Sequence, residues 1–323
     1  MNLVRNLYLE SCFSQKIRPR IVPQTGHQFK GKGQKPGMQL LPHTNKRWLG
    51  PGFVVLSGFA FAFMGALIKY LSPSLPSEVI VFFRSLIGIV VVVPLLLRQK
   101  VSMRTGVPHL HLLRGVVGFG AMYTFFYSIS LIPLSQAVLL SYTTPLFAPV
   151  IAWLWLREGM GLKVWGAILT GFLGVVFLLH PKSGTELLTV GGLIALSSGL
   201  LAAVALTTIR RMSDTEATTR IVFYHTFISL LASAVLAAIS WQTPLLEQLL
   251  LLIAIGILAT VGQMAITRGY SLAPVATAGP FTYTTVVFAA VMGAVFWGEL
   301  FDVFTWGGSL LVIIGGILAL RAK

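Results

Sequence analysis

Apolar runs of membrane-crossing length, about 17–25 residues, follow one another from residue 49 to the C-terminus. The short breaks between them carry turn-forming residues: "SPSLPS", "IPLS", "REGMG", "HPKSG", "WQTP" and "LAP". Proline lacks a backbone donor and glycine weakens a helix, so each break reads as a turn between helices. The pattern predicts ten spans, near 49–70, 78–97, 108–131, 133–156, 163–179, 190–209, 219–241, 248–270, 274–298 and 302–320. No connection is long enough for a soluble domain. The expected fold is an all-α polytopic membrane protein.

One run breaks its own pattern. "EVIVFFRSLIGIVVVVPLLL", from Glu78 to Leu97, is apolar except at its ends and at Arg84. An arginine at membrane depth costs several kcal/mol, about 3 or more, unless it reaches water, a partner or a ligand.

Composition removes the soluble alternative. The chain has 323 residues, 55% hydrophobic and 10% charged, with a mean hydropathy of +0.83, where a soluble protein carries about 25% charged residues. Cys12 is the single cysteine, so an intramolecular disulfide and a thiolate metal cluster are both excluded.

The net charge of +15 is unevenly placed: residues 1–48 hold nine Lys/Arg and one acid, Glu10. This segment lacks a DNA-binding motif and apolar periodicity, so it reads as a disordered basic cytoplasmic tail, and no nucleic-acid partner is expected. Two other readings of it stay open: an organelle-targeting segment, being basic and poor in acids, or a leader upstream of a true start at Met38. It has no apolar core of a secretory signal. With the N-terminus inside, Arg98, Lys100, Arg104, Arg114, Arg157, Lys163, Arg210, Arg211, Arg220, Arg268, Arg321 and Lys323 fall at the cytoplasmic face, against Lys69 and Lys182 at the other. The bias sets both termini inside. A plasma membrane, bacterial inner membrane foremost, is the expected location.

"LIPLSQAVLLSYTTPLFAPVIAWLWLRE" (131–158) aligns without a gap on "LAPVATAGPFTYTTVVFAAVMGAVFWGE" (272–299), at an offset of 141. Pro133 meets Pro274, Tyr142-Thr143-Thr144 meets Tyr283-Thr284-Thr285, and Glu158 meets Glu299. The offset extends to Trp165-Gly166 with Trp306-Gly307, "IVFFRS" (80–85) with "IVFYHT" (221–226), and Lys69 with Arg210. Each copy holds five spans. Five is odd, so the second copy enters from the opposite side, an arrangement characteristic of secondary transporters. The expected domains are the tail, 1–48, and two five-helix repeats, 49–181 and 190–323.

"EVIVFFRSLIG", "LRGVVGFGAMYTFFYSISLIPLSQAVLLSYTTPLFAPVIAWLWLRE" and "PFTYTTVVFAAVMGAVFWGE" resemble the drug/metabolite transporter superfamily in its EamA-type two-repeat branch. The resemblance covers about 49–320. It implies ten helices in two inverted halves around a central cavity, and export or exchange of small metabolites. Arg84 departs from symmetry, since His225 answers it in the second copy.

Several residues are candidates for substrate binding. Arg84 lies six residues into its span, roughly 9 Å deep. It either snorkels or bonds across helices, or it lines a cavity and meets an anionic group. Six residues at 100° each leave Glu78 about 120° away on the same helix, a poor partner. His225 is a candidate for proton coupling or for packing. Tyr142 and Tyr283 stand nine residues from their repeat prolines, about 13.5 Å along oppositely directed helices, hence near the midplane. Their hydroxyls need partners or line a pocket. Pro145 and Pro280 leave the carbonyls of Ser141 and Ala276 unbonded, which predicts kinks beside them. Tyr123, Tyr127 and Gln263 complete the set, as recognition or as packing residues. Glu158 and Glu299 read as gate or loop residues, the glycines of "GFLGVV" and "GGLIALSSG" as close helix packing, and Trp153, Trp155 and Trp297 as interface anchors.

No phosphate-binding G-x-x-x-x-G-K-[ST], no H-E-x-x-H and no G-x-S-x-G is present, which removes ATP-driven pumping and these hydrolase classes. No cofactor or metal is expected. A transferase acting on a lipid-linked substrate would want clustered His, Asp and Glu at one interface, and the loops are bare of them. A channel would want rings of charge. The expected function is a secondary transporter of a small polar or amphipathic metabolite, with the bilayer as its other partner. A slight excess of cations over acids within the spans leans toward solutes bearing carboxylate or phosphate.

Overall fold

The computed structural model describes residues 48–129, 131–132, 134–159, 161–179, 189–298 and 302–322. The basic tail to residue 47, Pro133, Lys182 and Glu299 lie outside these residues. All described elements are helices. They are α1 (Leu49–Leu71), α2 (Ser77–Arg98), α3 (Pro108–Ile129), α4 (Leu134–Ser141), α5 (Thr144–Leu156), α6 (Leu162–Leu179), α7 (Val190–Met212), α8 (Thr218–Ile239), α9 (Leu246–Leu272), α10 (Val275–Ala278), a 3-10 turn (Gly279–Tyr283), α11 (Thr284–Trp297) and α12 (Val303–Arg321).

Local chemistry places the ends. Pro76 sits at the N-cap of α2 and Pro274 at that of α10. Side-chain oxygens of Thr189 and Asp302 accept the Gly192 and Thr305 amides at 3.2 and 2.7 Å, capping α7 and α12. α5 and α11 both end on a left-handed residue, Arg157 at φ 57° and Gly298 at φ 67°. These are equivalent positions at the 141 offset, and only the second copy uses the residue for which that conformation costs nothing.

Eight stretches are long and apolar enough to cross a membrane: α1, α2, Ala137–Leu156, α7, α8, α9, Val275–Trp297 and α12. The chain is an integral, multi-pass membrane protein. α3, which carries His109, His111 and Arg114, and the shorter apolar α6 stand outside that set. Two of the eight stretches are broken in mid-course. α4 gives way to α5 at Tyr142-Thr143, and α10 passes through the 3-10 turn into α11. Both breaks fall beside the prolines Pro145 and Pro280, as expected from their missing donors. Threonines repair the backbone: the Thr144 hydroxyl donates to the Ser141 carbonyl at 2.8 Å, the acceptor that Pro145 leaves free. Thr282 and Thr284 do the same for Gly279 and Phe281, each at 2.6 Å.

Helices pack in pairs that cross from one copy to the other: α1 on α9, α3 on α7, α2 on α8 and α6 on α12. The close contacts recur at the repeat offset. A Cβ on Gly58 would lie 3.0 Å from Thr284 Oγ1, and one on Gly199 would lie 2.6 Å from Thr143 Oγ1. A Cβ on Gly174 would meet the backbone of Gly308 and Val312 at 2.7 and 2.8 Å; one on Gly315 would meet that of Gly171 and Ala167 at 2.7 and 2.9 Å. Absent side chains thus let helix backbones touch, as membrane helices require.

The loops joining the first two helices of each copy are anchored differently. Leu75 is buried with Leu71, Val79, Ile80, Leu252 and Ile255. Its counterpart Glu216 is also buried, but accepts from Thr105 Oγ1 and Arg220 Nη1 at 2.7 Å each, with His111 Nε2 3.2 Å away.

Candidate functional site

A cavity of about 1090 Å³ runs between the two copies, lined by residues from α1, α2, α3, α4, α7, α8, α9, α11 and their connections. Its walls are largely apolar, with Phe61, Met64, Phe125, Phe126 and Ile266 among them. At one end it reaches the exposed residues Lys69, Ser72 and Trp297, where Lys69 Nζ stands 4.3 Å from the Trp297 ring. At the other end α5, α7 and α10 are tied together. Glu158 accepts from Arg210 Nε at 2.7 Å and from the Val275 amide at 3.1 Å, and Arg210 donates onward to the Ser271 carbonyl at 3.2 Å. The described glutamate of the repeat pair is therefore a tie between helix ends and lies outside the cavity lining.

Charge is concentrated in the cavity wall. Arg84 lines it and donates through Nη1 to Met122 Sδ at 3.1 Å. Glu78 meets only the neighbouring Ser77 hydroxyl, at 3.4 Å, as their angular separation on the helix requires. Arg114 lines the same space. Its Nη1 donates to His225 Nδ1 at 3.1 Å and its Nη2 to Gln263 Oε1 at 3.0 Å. Arginine only donates, so His225 Nδ1 accepts, and a neutral ring carries its proton on Nε2.

This corrects the reading of Arg114 as a cytoplasmic loop charge: the residue is 4% exposed and points inward. A signal existed in the sequence. Arg114 lies six residues into α3, roughly 9 Å at the helical rise, the same depth that singles out Arg84. Met122 and Gln263 are offset mates, so each copy places one of the pair beside the α2 or α8 residue, Arg84 or His225.

The two midplane tyrosines separate. Tyr142 lines the cavity, as does Thr285. Tyr283 is fully buried, its hydroxyl unpartnered, in a cluster with Leu139, Val175, Val286 and Val312. Of the two alternatives for these hydroxyls, Tyr142 meets the pocket-lining one, and Tyr283 meets neither. The cause is local. A Cβ on Gly171 would lie 2.6 Å from the Tyr283 ring, so the missing side chain makes the ring's seat. At the equivalent position stands Val312, so the other copy carries a side chain where this one has none.

Tyr123 and Tyr127 are exposed and line a separate recess of about 150 Å³ with Glu78, Phe119 and Ser233. Neither tyrosine lines the large cavity, although the recess adjoins it through Ser77, Val81, Met122 and Phe126, which line both. Of the seven sequence candidates, Arg84, Tyr142, His225 and Gln263 line one space, and Arg114 joins them.

Comparison with known proteins now bears on this arrangement. The family model of the EamA-like transporter family matches residues 48–180 and again 189–321. The chain is 34% identical over 271 residues to the pseudopaline exporter CntI of Pseudomonas aeruginosa, covering 83% of this chain and 95% of that one. It is 26% identical to an S-adenosylmethionine uptake transporter of Rickettsia bellii, over 82% of this chain and 91% of the relative. It is 28% identical to a riboflavin transporter of Vibrio cholerae, over 82% and 90%. A protein crystal structure 20% identical in sequence superposes with a TM-score of 0.74, over 87% of this chain and 98% of its own, which shows the fold. Two consecutive family matches and a relative of this closeness settle the affiliation: the chain belongs to the EamA-like transporter family, within the drug/metabolite transporter superfamily.

Proposed function

We propose that this protein is a secondary carrier, an exporter or exchanger, that moves a small polar or amphipathic metabolite across the membrane. The observation that carries the reading is the cavity of about 1090 Å³ between the two copies, larger than a typical small-ligand pocket of about 300–1000 Å³. The printed names of the relatives, exporter and uptake transporter alike, support a small organic solute.

The two copies act as inverted halves, and the cavity opens alternately to either side as they exchange conformations. Support comes from the reciprocal contacts at Gly58 and Gly199 and at Gly174 and Gly315. With α3 and α6 as crossings, each half has five spans. The Lys/Arg bias then puts both termini and the Glu158–Arg210 tie at the cytoplasmic face, and the Lys69 end outside. In that orientation the arrangement is outward-open and closed inside. The site residues are Arg84, Tyr142, His225, Gln263 and Arg114.

Counterflow tests the reading. Proteoliposomes preloaded with a pooled metabolite library should accumulate at least one labelled solute against its gradient, and empty liposomes should not. Chemical conversion of a solute without its movement across the bilayer would instead establish an enzyme. Topology is tested separately: a reporter after Lys323 should be cytoplasmic and the Trp241–Pro244 loop external. An external C-terminus with a shielded Trp241 loop would overturn the orientation.

A further inference from the structure

The chemistry of the cavity wall restricts what the carrier can hold, on the reading above that the cavity is a transport site. Two guanidinium groups, Arg84 and Arg114, line it, and the described lining residues include no carboxylate. Arginine stays protonated in proteins, so the inner wall holds two positive charges, with Lys69 at the mouth as a further cation. Among the described residues neither arginine has an acidic partner within ion-pair distance, although arginine–glutamate pairs form elsewhere, at Arg210–Glu158 and Arg220–Glu216.

The acceptors nearest the guanidinium of Arg114 are engaged by it: His225 Nδ1 and Gln263 Oε1 both receive bonds from Arg114. His225 then has only its Nε2 proton to offer, and Gln263 has its amide NH2 beside one remaining carbonyl lone pair. Arg84 has only the Met122 sulfur, a weak acceptor. The Nε atoms of Arg84 and Arg114 are both buried without a hydrogen-bond partner. A buried donor left unmade is unfavourable, and one on a charged group more so.

The site is also built. A Cβ on Gly118 would overlap Arg114 Nη1 and come within 3.0 Å of His225 Cε1. Glycine at this position of α3 therefore clears the volume in which the guanidinium head lies across to α8. Gln263 from α9 fixes the other edge of the fork. Three helices hold one cation in a set plane, and a fourth, α2, brings the second cation to the same space. A structural arginine in a membrane protein is ordinarily matched by a carboxylate or by carbonyls; among the described residues this pair meets only neutral acceptors, a ring nitrogen, one amide oxygen and a thioether.

The geometry points to a dianion site: Arg84 and Arg114 together bind the paired carboxylates, or the phosphate monoester, of the transported solute. The planar forks suit bidentate contact with either group, His225 Nε2 and the Gln263 amide add donors, and the apolar wall takes the carbon skeleton. Tyr142 lines the same space and borders the body of the solute.

The test uses the full chain purified in detergent, with unfolding followed by tryptophan fluorescence. The probes are succinate, citrate, aspartate, glycerol 3-phosphate and inorganic phosphate at matched ionic strength, each against an uncharged mate such as succinamide or glycerol. At least one organic dianion should raise the unfolding temperature in a saturable way, and its uncharged mate should not. Dicarboxylates and phosphate monoesters form separate arms, and the arm that binds names the group.

Arg114→Gln should weaken that binding more than a hundredfold. Arg84→Lys, which keeps the charge but loses the fork, should weaken it at least tenfold while unfolding alone as the wild type does. Stabilisation by no anion of the panel, equal stabilisation by the amides, or unchanged affinity in Arg84→Lys overturns the assignment. Counterflow of a neutral or cationic metabolite with no anion binding sinks the dianion site and leaves the carrier standing. Anion binding without flux in proteoliposomes does the reverse.

Discussion

The cluster around Leu75 and the cluster around Glu216 occupy equivalent places in the two copies and have opposite chemistry. Shifting the first set by 141 turns Leu71, Leu75, Val79, Ile80, Leu252 and Ile255 into Met212, Glu216, Arg220, Ile221, His111 and Arg114. One set is a dry apolar plug. The other is a buried carboxylate held by Thr105, Arg220 and His111, with side chains of Glu216 and His111 2% and 1% exposed. Both hold the same loop to the same two helices. The lesson is that backbone approach, set by the small residues, defines the packing site, and side chains then fill it with whichever chemistry is self-consistent.

The difference also explains where cavity charge comes from. Arg114 belongs to the ionic set and reaches from it into the cavity, whereas its mate Ile255 is fully buried in the plug. Both cavity guanidiniums therefore come from the first copy. The scaffold follows the repeat symmetry, and the charge of the cavity wall departs from it.

The comparison can be broken most forcefully at Glu216. Glu216→Leu alone strands Arg220 and His111 and should lower stability by about 3–5 kcal/mol, read as a fall in unfolding temperature in detergent. Copying the other cluster entirely, with His111→Leu, Glu216→Leu and Arg220→Val together, should restore wild-type stability or exceed it. A triple variant as unstable as the single one would show that the two sites are not equivalent. In the apolar plug, Leu252→Ala removes a fully buried side chain and should cost about 2–5 kcal/mol, with no dependence on the pH of the measurement.

Acidity distinguishes the clusters next. Burial pushes the Glu216 carboxyl up, but hydrogen bonds from Thr105, Arg220 and His111 and the Arg220 charge outweigh it, so the folded group sits below its ordinary value. Its contribution is complete above the ordinary carboxylate range, about 4, and is lost as pH falls through the folded value. The wild-type unfolding temperature should decline below about pH 4, and the triple variant should decline less. Equal slopes would remove Glu216 from the account.

The tyrosine pair gives a smaller contrast. Tyr142→Phe should weaken solute affinity about fivefold, near 1 kcal/mol, with folding intact. Tyr283→Phe deletes a buried, unpartnered hydroxyl and should leave transport unchanged with stability equal or slightly higher. A matching transport defect in both would put Tyr283 back in the cavity. Tyr123→Phe should do least, staying within about 0.5 kcal/mol in stability and within error in transport, because its exposed ring stacks 6.2 Å from Phe119 on the rim of the small recess.

Hydropathy alone determined the helical class, the membrane location and most span positions, because apolar length and turn chemistry are local properties of the chain. The 141-residue offset determined which residues are equivalents, and the missing proline donors located both helix breaks near Tyr142 and Tyr283. Which equivalents face the cavity was decided only by the tertiary structure. Facing depends on helix rotation and on a single neighbour from a distant helix: Gly171 seats the Tyr283 ring, and the equivalent position carries Val312. Arg114 is the sharpest case. Counted along the chain it is one more cation near a span end, and only the approach of α8 and α9, with Gly118 making room, turns it into the wall of the site.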